Sequence, residues 1–172
     1  MNGVVENETL TAQLVKVTFA YSLEEDRVRM DALDSDGGTV RLWFTARLLK
    51  GLVPYMVQRQ SGLLPFSMTH SRTPDDTLSA PAEQQSVVCH ADSANVLITT
   101  IDIHPQRQQI VLVFKDMECN NRLAFALSAS ATYQWNVALK QCFEQAGWPL
   151  QSFNDSLQGK GSESLEDAIT IH

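Results

Sequence analysis

Apolar and polar residues alternate strictly along Val15-Lys16-Val17-Thr18-Phe19-Ala20-Tyr21-Ser22. Such alternation predicts a β-strand, because successive side chains of a strand point to opposite faces of the sheet. The apolar members, Val15, Val17, Phe19 and Tyr21, are expected to face the core. The same alternation returns over residues 28–32 and 40–44, with polar, glycine-containing turns between the segments. Residues 15–44 therefore predict three strands joined by tight hairpins.

A helical spacing follows the third strand. Thr45 is a predicted N-cap, since its hydroxyl can accept a hydrogen bond from the first turn. The apolar residues that share one helical stripe are Leu48, Leu52, Tyr55 and Met56. Pro54 lies within this run and is expected to kink or restart the helix, because proline has no backbone N–H. We predict a helix over residues 46–60.

The same order of elements recurs in the second part of the chain. Alternation predicts strands over 97–103, 110–114 and 123–127, after which Ser128 or Ser130 caps a helix over 130–146. An offset of 83 residues places Leu42 on Phe125 and Phe44 on Leu127. The repeated order predicts an internal duplication. Each half alone has too few residues to bury a stable core, so the two halves are expected to share one hydrophobic interior.

The predicted fold class is α+β, built from a duplicated β-β-β-(β)-α unit. The optional fourth strand is predicted at Val4-Val5 in the first unit and at Val87-Val88 in the second. We expect two antiparallel sheets braced by the two helices and related by a pseudo-two-fold axis.

Four segments follow from this division of the chain. Residues 1–60 are the first sheet-helix half, the proline-containing residues 61–86 a linker, and 87–150 the second half, which shares its core with the first. Residues 151–172 are predicted to be a flexible acidic tail whose last stretch, 165–171, can dock as one short segment.

Composition and charge exclude several classes of protein. The 172 residues include 13 Lys+Arg and 20 Asp+Glu, so the net charge is -7, which argues against a general polyanion binder. Three cysteines without close spacing exclude a disulfide-dense small protein. The chain begins without a secretory signal and has no apolar run long enough to cross a membrane. We predict a cytoplasmic protein.

Catalytic and metal-binding motifs are not found in the sequence. Cys89 and His90 are adjacent, and in a strand their side chains would point to opposite faces, which separates them as a catalytic pair. Cys142 is predicted to lie in the core, and Cys119 is the predicted exposed thiol. We therefore predict no enzyme activity, no metal and no cofactor. A polar pocket around His70, His90 or Asp92 is the alternative that would indicate a ligand site.

Two outward sheet faces differ in character. In the first half the residues predicted to face solvent together are Lys16, Arg27, Arg29, Arg41 and Trp43. Basic side chains around an aromatic ring can neutralise phosphates and stack a base, which is what single-stranded nucleic acid requires. Nearby acidic residues allow the alternative interpretation of a solvated, charge-paired sheet face.

The outward face of the second half is apolar. Its predicted members are Ile98, Val111, Val113, Ala124 and Ala126. A contiguous apolar surface of this kind marks an interface, unless the linker residues Leu63, Leu64 and Phe66 cover it. We predict a non-catalytic binding or regulatory domain that uses this face to bind a protein partner or a second copy of the chain. Single-stranded nucleic-acid binding through the first face is the alternative.

The doubled sheet-then-helix order, carried by the alternating strands and by the helices at 46–60 and 130–146, resembles whirly-type single-stranded-DNA-binding transcriptional regulators. The resemblance covers most of residues 4–147 and is one of topology. It implies that the helices of the two units cross between two sheets, and that single-stranded DNA is a ligand. The lysine-rich DNA-contact motif of that family, Lys-Gly-Lys-Ala-Ala-Leu, does not occur in this chain.

Overall fold

The protein is described by a computed structural model that covers residues 11–63, 85–118, 120–154 and 169–172, with side chains in the first range up to residue 60. The elements in chain order are β1 (Thr11–Ser22), β2 (Arg27–Asp34), β3 (Thr39–Phe44), α1 (Ala46–Leu63), β4 (Ala94–Ile98), β5 (Thr100–Pro105), β6 (Gln109–Lys115), β7 (Arg122–Ser128), α2 (Ala129–Ala146), α3 (Gln151–Asn154) and β8 (Ile169–Ile171). The predicted mixed α+β class is confirmed.

All eight strands belong to one sheet, in the order β4-β3-β2-β1-β7-β6-β5-β8. The two separate sheets that the sequence predicted are therefore not confirmed. Strands β1, β2 and β3 pair antiparallel in sequence order, as expected, and so do β5, β6 and β7. In contrast, β1 pairs in parallel with β7, and β3 pairs in parallel with β4. These two parallel pairs join the halves of the chain into one sheet.

The sheet curls back on itself through the segment 94–105. Its first part, β4, pairs with β3, and its second part, β5, pairs with β6. Only Thr99 separates the two parts, although β3 and β6 lie on opposite sides of the central β1–β7 pair. The sheet must therefore curve until its two sides meet along one continuous piece of chain.

Val15 is not in the core, contrary to the prediction. The pairing of β1 with β2 shifts between Leu14 and Lys16, so that Val15 is the extra residue of a β-bulge. The bulge reverses the alternation: Leu14 is buried before it and Val17 packs against the core after it, whereas Val15 is 55% exposed. An extra residue in a strand moves every following side chain to the other face, and the alternation beyond Val15 gave no sign of it.

Ile98 is the second residue whose side chain was predicted on the wrong face of the sheet. The single strand predicted over 97–103 is two strands, β4 and β5, and the interruption at Thr99 again reverses the alternation. Val96 and Ile98 point inward before it, and Ile101 and Ile103 point inward after it. Ile98 is only 1% exposed, so it belongs to the core and not to the outward apolar face.

The predicted fourth strand at Val87-Val88 is not a strand in this structure. Residues 85–90 have no regular secondary structure, and the Val87 N–H donates a hydrogen bond of 2.9 Å to the Thr18 hydroxyl on β1. Val4-Val5 lies outside the described residues.

Both long helices begin with the expected caps. The Thr45 hydroxyl accepts from the Leu48 N–H at 3.3 Å, and the Ser128 hydroxyl accepts from the Ala131 N–H at 3.2 Å. Gly147 ends α2 in the left-handed conformation with φ 67°, which glycine adopts without strain. α1 continues through Pro54 to Leu63, three residues beyond its predicted end. Pro54 is exposed, so the hydrogen bond that proline forgoes is on the solvent side.

One hydrophobic core contains residues from both halves. The Trp135 ring of α2 lies 4.7 Å from Phe19, 5.7 Å from Phe125 and 6.2 Å from Phe114, measured between ring centroids. Phe44 of the first half meets Phe114 of the second at 5.4 Å. Because the helices and the sheet are joined by these aromatic contacts, the two halves share their buried interior.

The region predicted as a flexible tail contains two described elements, α3 and β8. β8 pairs antiparallel with β5, and the hydroxyl of Thr170 donates to the Asp102 carboxylate at 2.9 Å. Ile171 packs against α1 where Gly51 has no side chain, and a Cβ there would lie 2.9 Å from an Ile171 methyl group. Strand β8 therefore lies at the edge of the sheet beside β5 and also contacts α1.

Candidate functional site

Four of the five residues predicted to form an apolar outward face do come together. Val111 lies opposite Ala126, and Val113 lies opposite Ala124, across the β6–β7 pair. All four point away from the core; Ala126 is exposed and the other three are half-buried. Ile98 is not part of this surface because it is buried.

Val15 takes the place that Ile98 was expected to hold. The parallel pairing of β1 with β7 ends at Leu14 opposite Phe125, and Val15 is the next residue of β1. Its exposed side chain extends the apolar surface from β7 onto β1. We call Val15, Val111, Val113, Ala124 and Ala126 the outer apolar face. The sequence signal for Val15 is its apolar neighbour Leu14, since two adjacent residues of a strand cannot both face inward. The sequence does not indicate which of the two faces outward.

Polar groups border the outer apolar face. Lys115 forms an ion pair with Asp102, which lies opposite Val113 and also accepts from Thr170. Burial would raise the pKa of Asp102, but the hydrogen bonds from Lys115 and Thr170 and the charge of Lys115 outweigh burial and hold this pKa below its usual value. The carboxylate beside the apolar face is therefore ionised and already neutralised by a partner.

The predicted basic residues lie on the outward face of β1, β2 and β3. Arg29 lies opposite Trp43, and Asp31 lies opposite Arg41. Arg27 is the first residue of β2 and forms an ion pair of 3.6 Å with Glu25 in the preceding turn. Lys16, opposite Leu33, lies further along the sheet from Trp43. The structure thus groups Arg27, Arg29, Arg41 and Trp43 and places Lys16 apart from them.

Asp31 neutralises part of this basic group. Its carboxylate accepts two hydrogen bonds from the Arg41 guanidinium, from Nε at 2.7 Å and from Nη2 at 3.1 Å. The Nε of Arg29 lies 3.5 Å from the same carboxylate. Asp31 is 4% exposed although it points outward from the sheet. One carboxylate therefore serves two arginines that the sequence assigned to phosphate binding.

Residues 85–93 cross over this charged cluster. The Ser93 hydroxyl is 2.7 Å from that of Thr39 on β3, and the Cys89 thiol lies near Asp31 and Arg41. Burial, followed by the negative charge of Asp31, raises the pKa of the Cys89 thiol. Such a thiol is a poor nucleophile at neutral pH, because the thiolate is the reactive form. The crossing segment explains why Asp31 is buried on an outward face.

The described residues give no catalytic constellation. His90 has an exposed side chain and its backbone N–H donates to Ser93, so Cys89 and His90 do not form a pair there. Within the described ranges no three His, Cys, Asp or Glu side chains lie close enough to hold a metal ion. His70 and Cys119 lie outside these ranges. No described helix is both long enough and apolar enough to span a lipid bilayer.

Comparison with known proteins identifies no relative of this chain. No protein family, no curated protein and no solved structure matches the chain. The resemblance to whirly-type regulators stays a prediction, and the geometry of the chain itself carries the functional argument.

Proposed function

We propose that this protein is a non-catalytic binding module that associates with a second copy of itself through the outer apolar face. The observation that carries the proposal is the exposed Val15, which a β-bulge turns outward on β1, the strand that pairs with the alanine-bearing β7. Exposure of an aliphatic side chain to water costs free energy. A partner that covers the side chain removes this cost.

The proposal includes the internal duplication. Strand β1 starts parallel to β7, is interrupted at Val15 and continues antiparallel to β2. The segment 94–105 starts parallel to β3, is interrupted at Thr99 and continues antiparallel to β6. The two segments occupy corresponding places in the sheet and have the same kind of interruption. This correspondence supports two related units.

Aligning the two proposed units allows their outward faces to be compared. Met30 opposite Leu42 corresponds to Leu112 opposite Phe125, and all four are buried. The next outward pair is Asp31 opposite Arg41 in the first unit and Val113 opposite Ala124 in the second. The first unit fills its outward face with an ion pair beneath residues 85–93. The second has aliphatic groups at the same positions, which is the composition of an interface centre.

A second copy of the chain is the partner that this composition favours. The outer apolar face contains only aliphatic side chains, and the charges nearest to it, the Lys115–Asp102 ion pair and the exposed Arg122 opposite Lys115, lie at its border. Two copies can therefore bring their aliphatic groups together despite a net charge of -7 per chain. Two sheet faces pack well when the inner surfaces are aliphatic and the strands cross at a small angle. A face that packs on its own copy forms a two-fold symmetric contact, the commonest arrangement among soluble oligomers.

The test is sedimentation velocity over a concentration series. We expect the wild-type protein to shift from monomer towards dimer at micromolar concentrations. Val15→Lys places a charge within the contact and should weaken the dimer at least about tenfold, since burying an unpaired charge costs more than 1.4 kcal/mol. Val15 is already exposed, so this variant should fold normally.

Val88→Lys is the matched control, because Val88 is a similarly exposed valine that belongs to residues 85–93 and not to the outer apolar face. The control should sediment like the wild type. A wild-type protein that stays monomeric at about 200 µM would refute self-association. Equal dimerisation of the Val15 and Val88 variants would place the contact elsewhere.

A second candidate function, single-stranded nucleic-acid binding, is favoured by one row of residues. Ala20, Arg29, Trp43 and Leu97 lie side by side across β1, β2, β3 and β4. The indole of Trp43 has a distant hydrogen bond to Asn95, at 3.4 Å, and its ring is half-buried beside Arg29. An aromatic ring next to a cation is the pattern that stacks an unpaired base.

Fluorescence titration with an oligonucleotide at low salt tests this candidate. Binding should weaken steeply as salt rises, and Trp43→Ala should remove about 1–3 kcal/mol of affinity. If low-salt titration shows no binding, or if Trp43→Ala binds like the wild type, this row has no such role.

A further inference from the structure

The outer edge of β5 accepts a short extended segment, which in this structure is β8. Ile169 of β8 lies opposite Ile103 of β5, and two residues further along Ile171 lies opposite Ile101. Opposed residues point to the same face of a sheet, and both β5 residues are fully buried, so both β8 isoleucines point towards the core side. The inner side of this edge therefore suits two aliphatic side chains that are two positions apart in an extended segment.

A glycine of α1 makes room for one of these side chains. Ile171 packs against the core, and a Cβ at Gly51 would lie only 2.9 Å from one of its methyl groups. Apart from α1 itself, Ile171 is the one described neighbour within 4 Å of that position. Gly51 lies inside α1, where glycine is among the least favourable residues for a helix. The close approach of an aliphatic residue from the edge strand explains why this position has no side chain.

Asp102 contacts the residue between the two isoleucines. Its Oδ1 accepts a hydrogen bond of 2.9 Å from the Thr170 hydroxyl, and its Oδ2 pairs with Lys115. An ionised carboxylate accepts hydrogen bonds and donates none, so it favours a hydroxyl at this position over an acidic side chain. The edge therefore selects a segment in which a hydroxyl-bearing residue lies between two aliphatic residues.

Few contacts retain β8 at this edge. Only three of its residues pair with β5, and Thr170 and His172 are exposed. Ile169 is 40% exposed, so Ile171 is the one residue of 169–172 that packs against the core. Segments with few buried contacts open locally while the rest of a protein stays folded. When β8 leaves, β5 presents unpaired backbone N–H and C=O groups to another strand.

We propose that the β5 edge, Gly51 and Asp102 form a binding site for an extended segment of a partner protein, and that residues 169–172 occupy this site until the partner displaces them. The partner segment carries Thr or Ser between two branched aliphatic residues and pairs antiparallel with β5. Such strand addition gains affinity from backbone hydrogen bonds and specificity from alternate side chains. The site contains no residue of the outer apolar face, so this proposal does not depend on self-association.

Titration of the isotope-labelled full chain with an acetylated peptide of the sequence 166–172, followed by NMR, tests the proposal. In the wild type the peptide competes with the chain's own segment. Thr170→Glu vacates the site, because two carboxylates opposite each other repel. We expect this variant to bind the peptide with a dissociation constant of about 0.5 mM or tighter, and the wild type to bind at least about tenfold more weakly. The largest chemical-shift changes should occur at Gly51 and along β5.

A second opening variant and a site variant locate the binding. Ile171→Asp removes the buried contact and should act like Thr170→Glu, which changes an exposed residue and should fold normally. Gly51→Val, added to Thr170→Glu, fills the space for the peptide's isoleucine and should weaken binding at least about tenfold. Gln58→Val, added in the same way, is the matched control. Gln58 is exposed on α1 about two turns beyond Gly51, so this change should have no effect.

The peptide itself provides a further check. The same peptide with Thr170→Val lacks the hydroxyl that donates to Asp102 and should bind at least about fivefold more weakly. The proposal is overturned if the original peptide binds the wild type and Thr170→Glu equally, or if it binds neither at about 5 mM. It is also overturned if Gly51→Val has no effect on peptide binding.

Sedimentation separates a partner protein from a second copy of the chain as the source of the segment. If Gly51→Val alone abolishes dimerisation while Val15→Lys leaves it intact, the same segment of a second copy occupies the site. That result would refute a separate partner. If Gly51→Val leaves dimerisation unchanged and blocks the peptide, the partner is a different protein.

Discussion

Asp31→Ala should destabilise the fold far more than the loss of one surface charge normally does. The substitution removes the acceptor of both Arg41 hydrogen bonds and the partner of Arg29, and it opens a space beneath residues 85–93. Two guanidinium groups of like charge then remain on neighbouring strands without a carboxylate between them. The change tests whether the charged outward face of β1, β2 and β3 stabilises the fold.

The structure sets the size of the effect. Breaking a buried ion pair by removing one partner costs about 3–5 kcal/mol when the remaining charge stays buried. The Asp31 side chain is 6% exposed, but that of Arg41 is 25% exposed and that of Arg29 is 37% exposed, so water can solvate the arginines in part. We therefore expect a loss of about 2–3 kcal/mol in the free energy of unfolding. Arg29→Ala should cost less than about 1 kcal/mol, because its contact is longer and more exposed.

Urea denaturation followed by circular dichroism measures both variants. Glu24→Ala is the matched control, since Glu24 is an exposed acidic residue in the turn that precedes β2. It should stay within about 0.5 kcal/mol of the wild type. If Asp31→Ala also stays within that range, the bidentate pair does not stabilise the fold and the argument from burial is wrong. A double-mutant cycle with Arg41→Ala then isolates the coupling energy of the pair.

Three further predictions concern the aromatic core, the ion pair of Asp102 and the buried thiol of Cys142. Trp135→Ala removes the ring at the centre of the aromatic cluster and should cost about 3–5 kcal/mol in chemical denaturation, whereas an exposed-site change such as Met117→Ala should cost almost nothing. The pKa of Asp102 is held below its usual value of 3.8, so its ion pair stabilises the fold above that pH and is lost as the pH falls through the lower value. Asp102→Asn should therefore flatten the acid limb of a stability–pH curve, and an unchanged limb would contradict the pKa assignment. Burial raises the pKa of Cys142 to about 11, so this thiol should resist alkylation at neutral pH in the folded protein and react after denaturation. Mass spectrometry of alkylated peptides checks this, and labelling of Cys142 in the native state would show that the core opens there.

The local elements could be predicted from the sequence because they depend on neighbouring residues. Alternation located the hairpin strands, and the caps Thr45 and Ser128 marked the starts of both long helices. Pro54 does not end or restart α1, since a proline on the solvent side of a helix that packs on a core is tolerated. Helical stripes such as the one containing Trp135 and Leu139 are buried as their spacing predicted.

The pairings between distant strands could not be predicted in the same way. The parallel contacts of β1 with β7 and of β3 with β4 join residues far apart in sequence, and the alternation within each strand is the same whichever neighbour it has. The bulge at Val15 and the interruption at Thr99 follow from those contacts, because each is where a strand changes partners. The surface assignment failed at Val15 and Ile98 for this one reason.

The candidate site was predictable only in part. The valines of β6 and the alanines of β7 were placed correctly because no irregularity interrupts those strands. Pairing of Asp31 with nearby arginines was expected as the alternative interpretation of this face, but the specific pair with Arg41 was not, since cross-strand register decides which acidic residue meets which arginine.

The strand that changes partners at Thr99 has a consequence for how the chain folds. Residues near 40 must meet residues near 96, and residues near 12 must meet residues near 123, before the curled sheet can close. Loop closures of this length are entropically expensive and slow the search for the native state. Neither half can complete its sheet before the other, so we expect slow, all-or-none refolding in which a truncated half has no stable structure of its own.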